Sequence, residues 1–127
     1  MFTISIKLNK LTYRMQMTKE ITDQFHQEML HIYDAALKLK PPYRAKTFLK
    51  MVNEHGGKAT ADKLLATNKP SEGFTELYLR GKDSLRLSVE YLVLTAPWKQ
   101  LFNENQLAIA TKRLKDVECP LPAEDSF

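Results

Sequence analysis

The stretch between residues 55 and 94 constrains the fold most strongly, because it divides into three apolar runs that are too short to be stable alone. The runs cover residues 59–66, 74–79 and 85–94. Chain breakers bound them: Gly56, Gly57, Pro70, Ser71 and Gly81. An isolated helix shorter than about 12 residues is marginal in water. The three segments must therefore pack on longer neighbouring helices, which predicts an all-α fold, a compact single-domain bundle of five to seven short helices.

Length and composition narrow the class of protein. A chain of 127 residues fits one domain. Its 43% hydrophobic and 27% charged residues are typical of a globular protein and argue against disorder. The longest apolar run, residues 91–94, is too short to span a membrane. The single cysteine, Cys119, excludes an intramolecular disulfide, and the start of the chain lacks an apolar leader; both favour the cytoplasm.

The N-terminal residues differ in pattern from the rest. Apolar side chains alternate with polar ones from Phe2 to Leu8, which is the period of a half-buried strand. Two interpretations follow: a loosely held extended arm over residues 1–16, which we favour, or a strand that pairs with a second copy and makes a homo-oligomer. The helical domain is then expected at 17–115, and an acidic tail at 116–127.

Capping residues and prolines predict the helix boundaries. Thr18 is a good N-cap for a first helix over 18–39, which the prolines at 41 and 42 end. A second helix at 43–55 stops at Gly56-Gly57, where we expect a left-handed cap.

Four further helices are expected at 58–67, from Ser71 to about 80, near 87–95 and at 103–115. Ser88 is a candidate cap for the fifth, and Asn103 with Gln106 has the form of a capping box. Because residues 85–89 alternate, a short strand there is the rival interpretation.

The order of apolar and glycine positions from residue 25 to residue 114 resembles that of a family of small uncharacterised bacterial proteins. The residues that carry the resemblance are Phe25, Met29, Tyr33, Phe48, Gly56, Gly57, Ala61, Leu64, Leu65, Gly73, Phe74, Leu77, Leu87, Glu90, Leu94, Trp98, Leu101, Phe102, Arg113 and Leu114. The resemblance implies a bacterial-type cytoplasmic protein. It supplies no site residues, since no activity is known for the family.

Histidines and the cysteine give weak candidates for chemistry. Glu28 and His31 have the i, i+3 spacing of di-iron bundles, but His31 falls outside the apolar face and no second such pair occurs. His55 precedes Gly56 and suits a helix C-terminus. Acidic surroundings favour an inert Cys119. We therefore expect no catalytic residue, metal or cofactor.

Glu90 lies inside an apolar run, so it either points to water or is buried with a partner. Ser88, Arg86 or an arginine from another helix are the partners that the sequence offers.

A basic cluster is the best functional lead in the sequence. It consists of Lys38, Lys40, Arg44, Lys46 and Lys50, and no acidic residue lies between Asp34 and Glu54. We call these five residues the basic corner. They form either a solvated surface or a binding site for nucleic acid or for an acidic protein.

Residues 59–80 have the order of a helix-turn-helix, but Glu72 in the second helix is unfavourable next to phosphates. The sequence therefore favours a small non-catalytic interaction or regulatory protein, and the alternative is a nucleic-acid-binding protein that uses the basic corner.

Overall fold

The computed structural model describes the backbone of residues 2–123 and the side chains of residues 10–123. Within them the chain forms six α-helices: α1 Phe2–Ala36, α2 Lys46–His55, α3 Gly57–Ala66, α4 Glu72–Leu79, α5 Val89–Val93 and α6 Glu104–Asp116. Two 3₁₀ helices, Lys82–Leu87 and Trp98–Leu101, flank α5. No strand occurs among residues 2–123, which confirms the all-α prediction.

The first helix starts far earlier than the sequence pattern indicated. Residues 2–16 continue α1, so the prediction of a strand or an extended arm is wrong. Thr18 is not a cap, because its hydroxyl donates to the Arg14 carbonyl one turn earlier (3.0 Å). The physical reason is propagation. Neither glycine nor proline occurs before residue 41, so a helix once nucleated has no breaker to stop it.

Other boundaries differ by a few residues. α1 ends at Ala36, whose carbonyl accepts from the Tyr43 amide (2.9 Å), and α2 begins only at Lys46. The rival strand at 85–89 is wrong, since residues 82–87 form a 3₁₀ helix. The segment predicted as a tail from residue 116 begins as part of the folded domain, because α6 reaches residue 116 and Cys119 is buried. Residues 124–127 lie outside the described part.

Three of the N-caps that the sequence predicted are present, at Ser71, Ser88 and Asn103. The Ser71 hydroxyl accepts from the Phe74 amide and starts α4 (3.1 Å). Ser88 accepts from the Tyr91 amide and starts α5 (3.1 Å). At α6 the capping box is reciprocal. The Asn103 side chain accepts from the Gln106 amide (2.8 Å), and the Gln106 side chain accepts from the Asn103 amide (3.0 Å).

Two apolar clusters form the core. In the first, Phe25 of α1 lies with its ring centroid 5.4 Å from that of Phe102 and 6.0 Å from that of Trp98. Around it pack α2, α3, α5 and α6. The second cluster joins α4, the first 3₁₀ helix and the end of α6; its buried members are Phe74, Leu77, Leu85, Leu114 and Cys119.

The two adjacent glycines have different roles. Gly56 ends α2 with φ of +88°, as expected of one of the pair, but its ψ of 160° is extended because α3 begins at the next residue. Gly57 is a packing position. Its amide donates to His26 Nδ1 of α1 (2.9 Å), and a Cβ there would lie 2.7 Å from the His26 Cα. α3 can approach α1 this closely only because residue 57 has no side chain.

We therefore predict that Gly57→Ala destabilises the fold by about 1–3 kcal/mol, the usual cost of overpacking, because the clash is with backbone. Gly73→Ala is the matched control. A Cβ at that helical position would meet its nearest neighbour, Ser71 Oγ, at an ordinary 3.6 Å. The measurement is urea unfolding of both variants. Equal stabilities of the two would contradict the close approach of α3 to α1.

Candidate ligand cavity and basic corner

A cavity of about 240 Å³ lies between the C-terminal end of α1, residues 43–51, α4 and residues 87–90. Its walls are mainly apolar and come from five helices, α1 to α4 and the first 3₁₀ helix: Ile32, Phe48, Met51, Leu64, Phe74 and Leu87. The lining has four charged residues, which differ in exposure: Glu90 is buried, whereas Arg44, Lys46 and Glu72 are exposed. The cavity therefore has a buried part that contains Glu90 and an exposed part that contains the two cations.

Glu90 forms a buried ion pair with Arg113 of α6. The Arg113 Nη1 donates to Glu90 Oε2 and to the Leu64 carbonyl, both at 3.0 Å, and Nη2 donates to the Thr67 carbonyl at 2.6 Å. Glu90 is 3% exposed and Arg113 is 7% exposed. Of the two alternatives for Glu90, the structure shows burial with a partner, and the partner is an arginine from another helix.

The position of Arg113 on α6 contained a signal that sequence reasoning did not use. Ala110 and Leu114 are buried, and residue 113 lies three positions after the former on the same side of the helix. An arginine there must enter the core. Arg86, the arginine nearest in sequence to Glu90, is exposed.

Burial raises the pKa of the Glu90 carboxyl above its ordinary value, and its own backbone amide and Arg113 oppose that effect. The acid sits in the first turn of α5, where the helix dipole favours a negative charge. Glu90 therefore lines the cavity while its carboxyl group is paired with Arg113, a residue outside the lining.

Arg80 fixes the loop of residues 41–43, which leads to the lining residue Arg44. The Arg80 Nε donates to the Pro41 carbonyl (2.6 Å) and its Nη2 to the Pro42 carbonyl (3.2 Å). The guanidinium also stacks on the Tyr43 ring, 5.3 Å from its centroid. Burial, reinforced by Glu72 and Glu76, raises the pKa of Tyr43, so its hydroxyl stays neutral and able to donate.

The basic corner is exposed but divided. All five of its side chains are exposed, and Lys50 lies 3.9 Å from Glu54. Arg44 and Lys46 line the cavity, whereas Lys38 and Lys40 lie in the turn after α1 and do not. The corner is therefore two neighbouring groups of cations and not one continuous stripe.

The remaining candidates lie apart from the cavity. Glu28 and His31 form an exposed contact of 3.5 Å along α1, and His55, the last residue of α2, is exposed 3.9 Å from Glu54. Among the residues described, no three acidic, histidine or cysteine side chains are grouped to hold a metal. Burial raises the pKa of the Cys119 thiol, which fits the expectation that it is inert.

The helix-turn-helix arrangement is not formed, because α3 packs mainly against α1 and α2, whereas α4 packs against the first 3₁₀ helix.

No family model, curated protein or solved structure matches this chain. None of the helices in the described part is both long and apolar enough to cross a membrane.

Replacing Arg113 tests the buried pair. We expect Arg113→Met to cost about 3–5 kcal/mol, because it leaves Glu90 charged and unpaired in the core. The loss should be smaller at low pH. Without Arg113 the pKa of Glu90 in the folded state rises further, so the variant keeps its stability below the unfolded pKa and loses it as pH rises through the folded pKa.

Chemical unfolding between pH 5 and about 8, with exposed Lys112→Met as the control, measures both effects. A loss that does not change with pH would show that Glu90 is not the group left unpaired.

Proposed function

We propose that the chain is a small non-catalytic interaction or regulatory protein that contacts its partner through the projecting half of α1, residues 10–20. One observation carries the proposal. Every side chain from 10 to 20 is exposed, and four of them are large and apolar: Leu11 (58% exposed), Tyr13 (63%), Met15 (68%) and Met17 (41%). Apolar surface gathered on one element marks a protein contact more often than scattered residues do.

The placement of these residues indicates the kind of partner. Leu11 and Met15 are one helical turn apart, and Tyr13 and Met17 form a second pair about 200° around the helix. Lys10 and Arg14 lie between the two pairs. A helix that is apolar on two sides fits a partner that surrounds it with helices and presents carboxylates to the cations, and a second copy of the chain is one such partner.

The resemblance over residues 25–114 supports a bacterial-type cytoplasmic setting. It covers the packed body but not the projecting half of α1. The proposed contact surface therefore rests on this chain alone and not on the resemblance.

A photo-crosslinking experiment tests the contact. Benzoylphenylalanine replaces Tyr13 in one variant and Tyr78 of α4, which is also exposed, in the control. We expect a discrete cross-linked species from position 13 alone, and its loss when Leu11→Gln and Met15→Gln are added. A species of twice the chain mass identifies a second copy. Indistinguishable patterns from the two positions would refute the proposal.

The alternative function is nucleic-acid binding through the basic corner. The observation in its favour is that Lys38, Lys40, Arg44 and Lys46 have no carboxylate within 4.0 Å among the described residues, so their charges are available to phosphates.

Salt titration separates this alternative from a solvated surface. We expect the wild type to bind duplex DNA and RNA no better than about 10⁻⁴ M, the non-specific level. Tighter binding that falls steeply with salt, is lost in Lys46→Glu with Lys50→Glu, and survives Lys112→Glu with Lys115→Glu on α6 would establish the alternative. Each lost phosphate contact should then reduce the log–log slope by about one unit.

A further inference from the structure

We propose that the cavity binds a small amphiphilic monocarboxylate, with its apolar chain inside and its carboxylate at Arg44 and Lys46. The site is independent of the contact surface on α1, and the proposal goes beyond the partner-binding function. It assigns a ligand to a cavity that combines apolar walls with exposed cations.

The volume of the cavity and its apolar lining indicate how long the apolar chain of the ligand can be. An engineered cavity of about 150 Å³ lined by aliphatic and aromatic side chains binds benzene. The cavity here, at about 240 Å³, is larger and is lined by the same types of residue, so it accepts a chain longer than six carbons. Ligand sites in proteins commonly have this form, an apolar hollow with a few placed polar groups.

The charges set the orientation. Glu90 is paired with Arg113, so the pair gives little attraction or repulsion to a ligand charge of either sign inside the cavity. A charged head of either sign would also have to lose its water among the apolar lining residues, so the head is expected at the exposed part of the lining. At the exposed part of the lining Arg44 and Lys46 attract a carboxylate; Glu72 opposes them, and the nearby Glu76 is paired with Arg80.

Two neutral donors, Ser71 and Tyr43, also line the cavity. The Ser71 hydroxyl accepts from the Phe74 amide, which leaves its own proton to donate. Tyr43 stays protonated and is held by Arg80. Because Arg80 also binds the carbonyls of residues 41 and 42, the loop that carries Tyr43 is preorganised for a ligand.

Calorimetric titration with octanoate, 1-octanol and octylammonium tests the proposal, since the three probes share one chain length and differ in head charge. We expect octanoate to bind most tightly. Arg44→Gln with Lys46→Gln should weaken octanoate about tenfold, as two partly exposed charge contacts imply, and should leave 1-octanol unchanged. Lys38→Gln with Lys40→Gln removes the same charge from the same corner without touching the cavity, and should change nothing.

A variant that fills the cavity tests whether the apolar chain of the ligand lies there. Gly73 lines the cavity near Tyr43, and its Cβ position is free of close contacts, so Gly73→Leu should fill this end and abolish octanoate binding while the thermal unfolding stays cooperative. Four results would overturn the proposal: no binding by any probe, 1-octanol or octylammonium binding as tightly as octanoate, equal effects of the two double variants, or octanoate binding that survives Gly73→Leu.

Discussion

The pair of Glu90 and Arg113 determines how the second half of the chain packs. The guanidinium donates to Glu90 at the start of α5 and to the carbonyls of Leu64 and Thr67 at the end of α3. Arg113 thus joins three helices through one side chain. Replacing a buried pair by apolar residues is often neutral, but a pair with one partner missing is strongly unfavourable. Separating the pair would leave a buried charge unpaired and the Leu64 and Thr67 carbonyls without this donor, so the pair favours the observed packing of α3, α5 and α6.

Two arginines also hold segments that line or adjoin the cavity. Arg113 attaches residues 87–90 to α6, and Arg80 attaches the loop next to the lining residue Tyr43 to α4. Moving either segment into the cavity would break hydrogen bonds of its arginine. The bond of Arg113 to Glu90 is buried, whereas the bonds of Arg80 to the Pro41 and Pro42 carbonyls are exposed.

Local signals in the sequence were sufficient for most helix starts, and distant contacts explain the failures. Ser71, Ser88 and Asn103 cap helices through bonds to residues three positions away, so their function can be read from neighbours alone. At the N-terminus both the alternation and the β-branched residues favoured a strand, and the prediction was wrong because α1 continues through a segment that contains no helix breaker. Arg113 lies 23 positions from its partner Glu90 in the sequence, and some residues that line the cavity lie further apart still. Contacts between residues so distant in the sequence depend on the tertiary packing.

The two candidate sites lie at opposite ends of one helix. Residue 15 in the projecting half and Ala36 beside the cavity are separated by 21 residues, or about 32 Å along the axis. Between them α1 is held against α3 by the contact of Gly57 with His26, which leaves no room for a side chain. Coupling between distant sites requires an element with two arrangements that both ligands bias. The close contact of Gly57 with His26 opposes movement of the middle of α1 along α3, so we expect binding in the cavity and binding at the projecting half to be energetically independent.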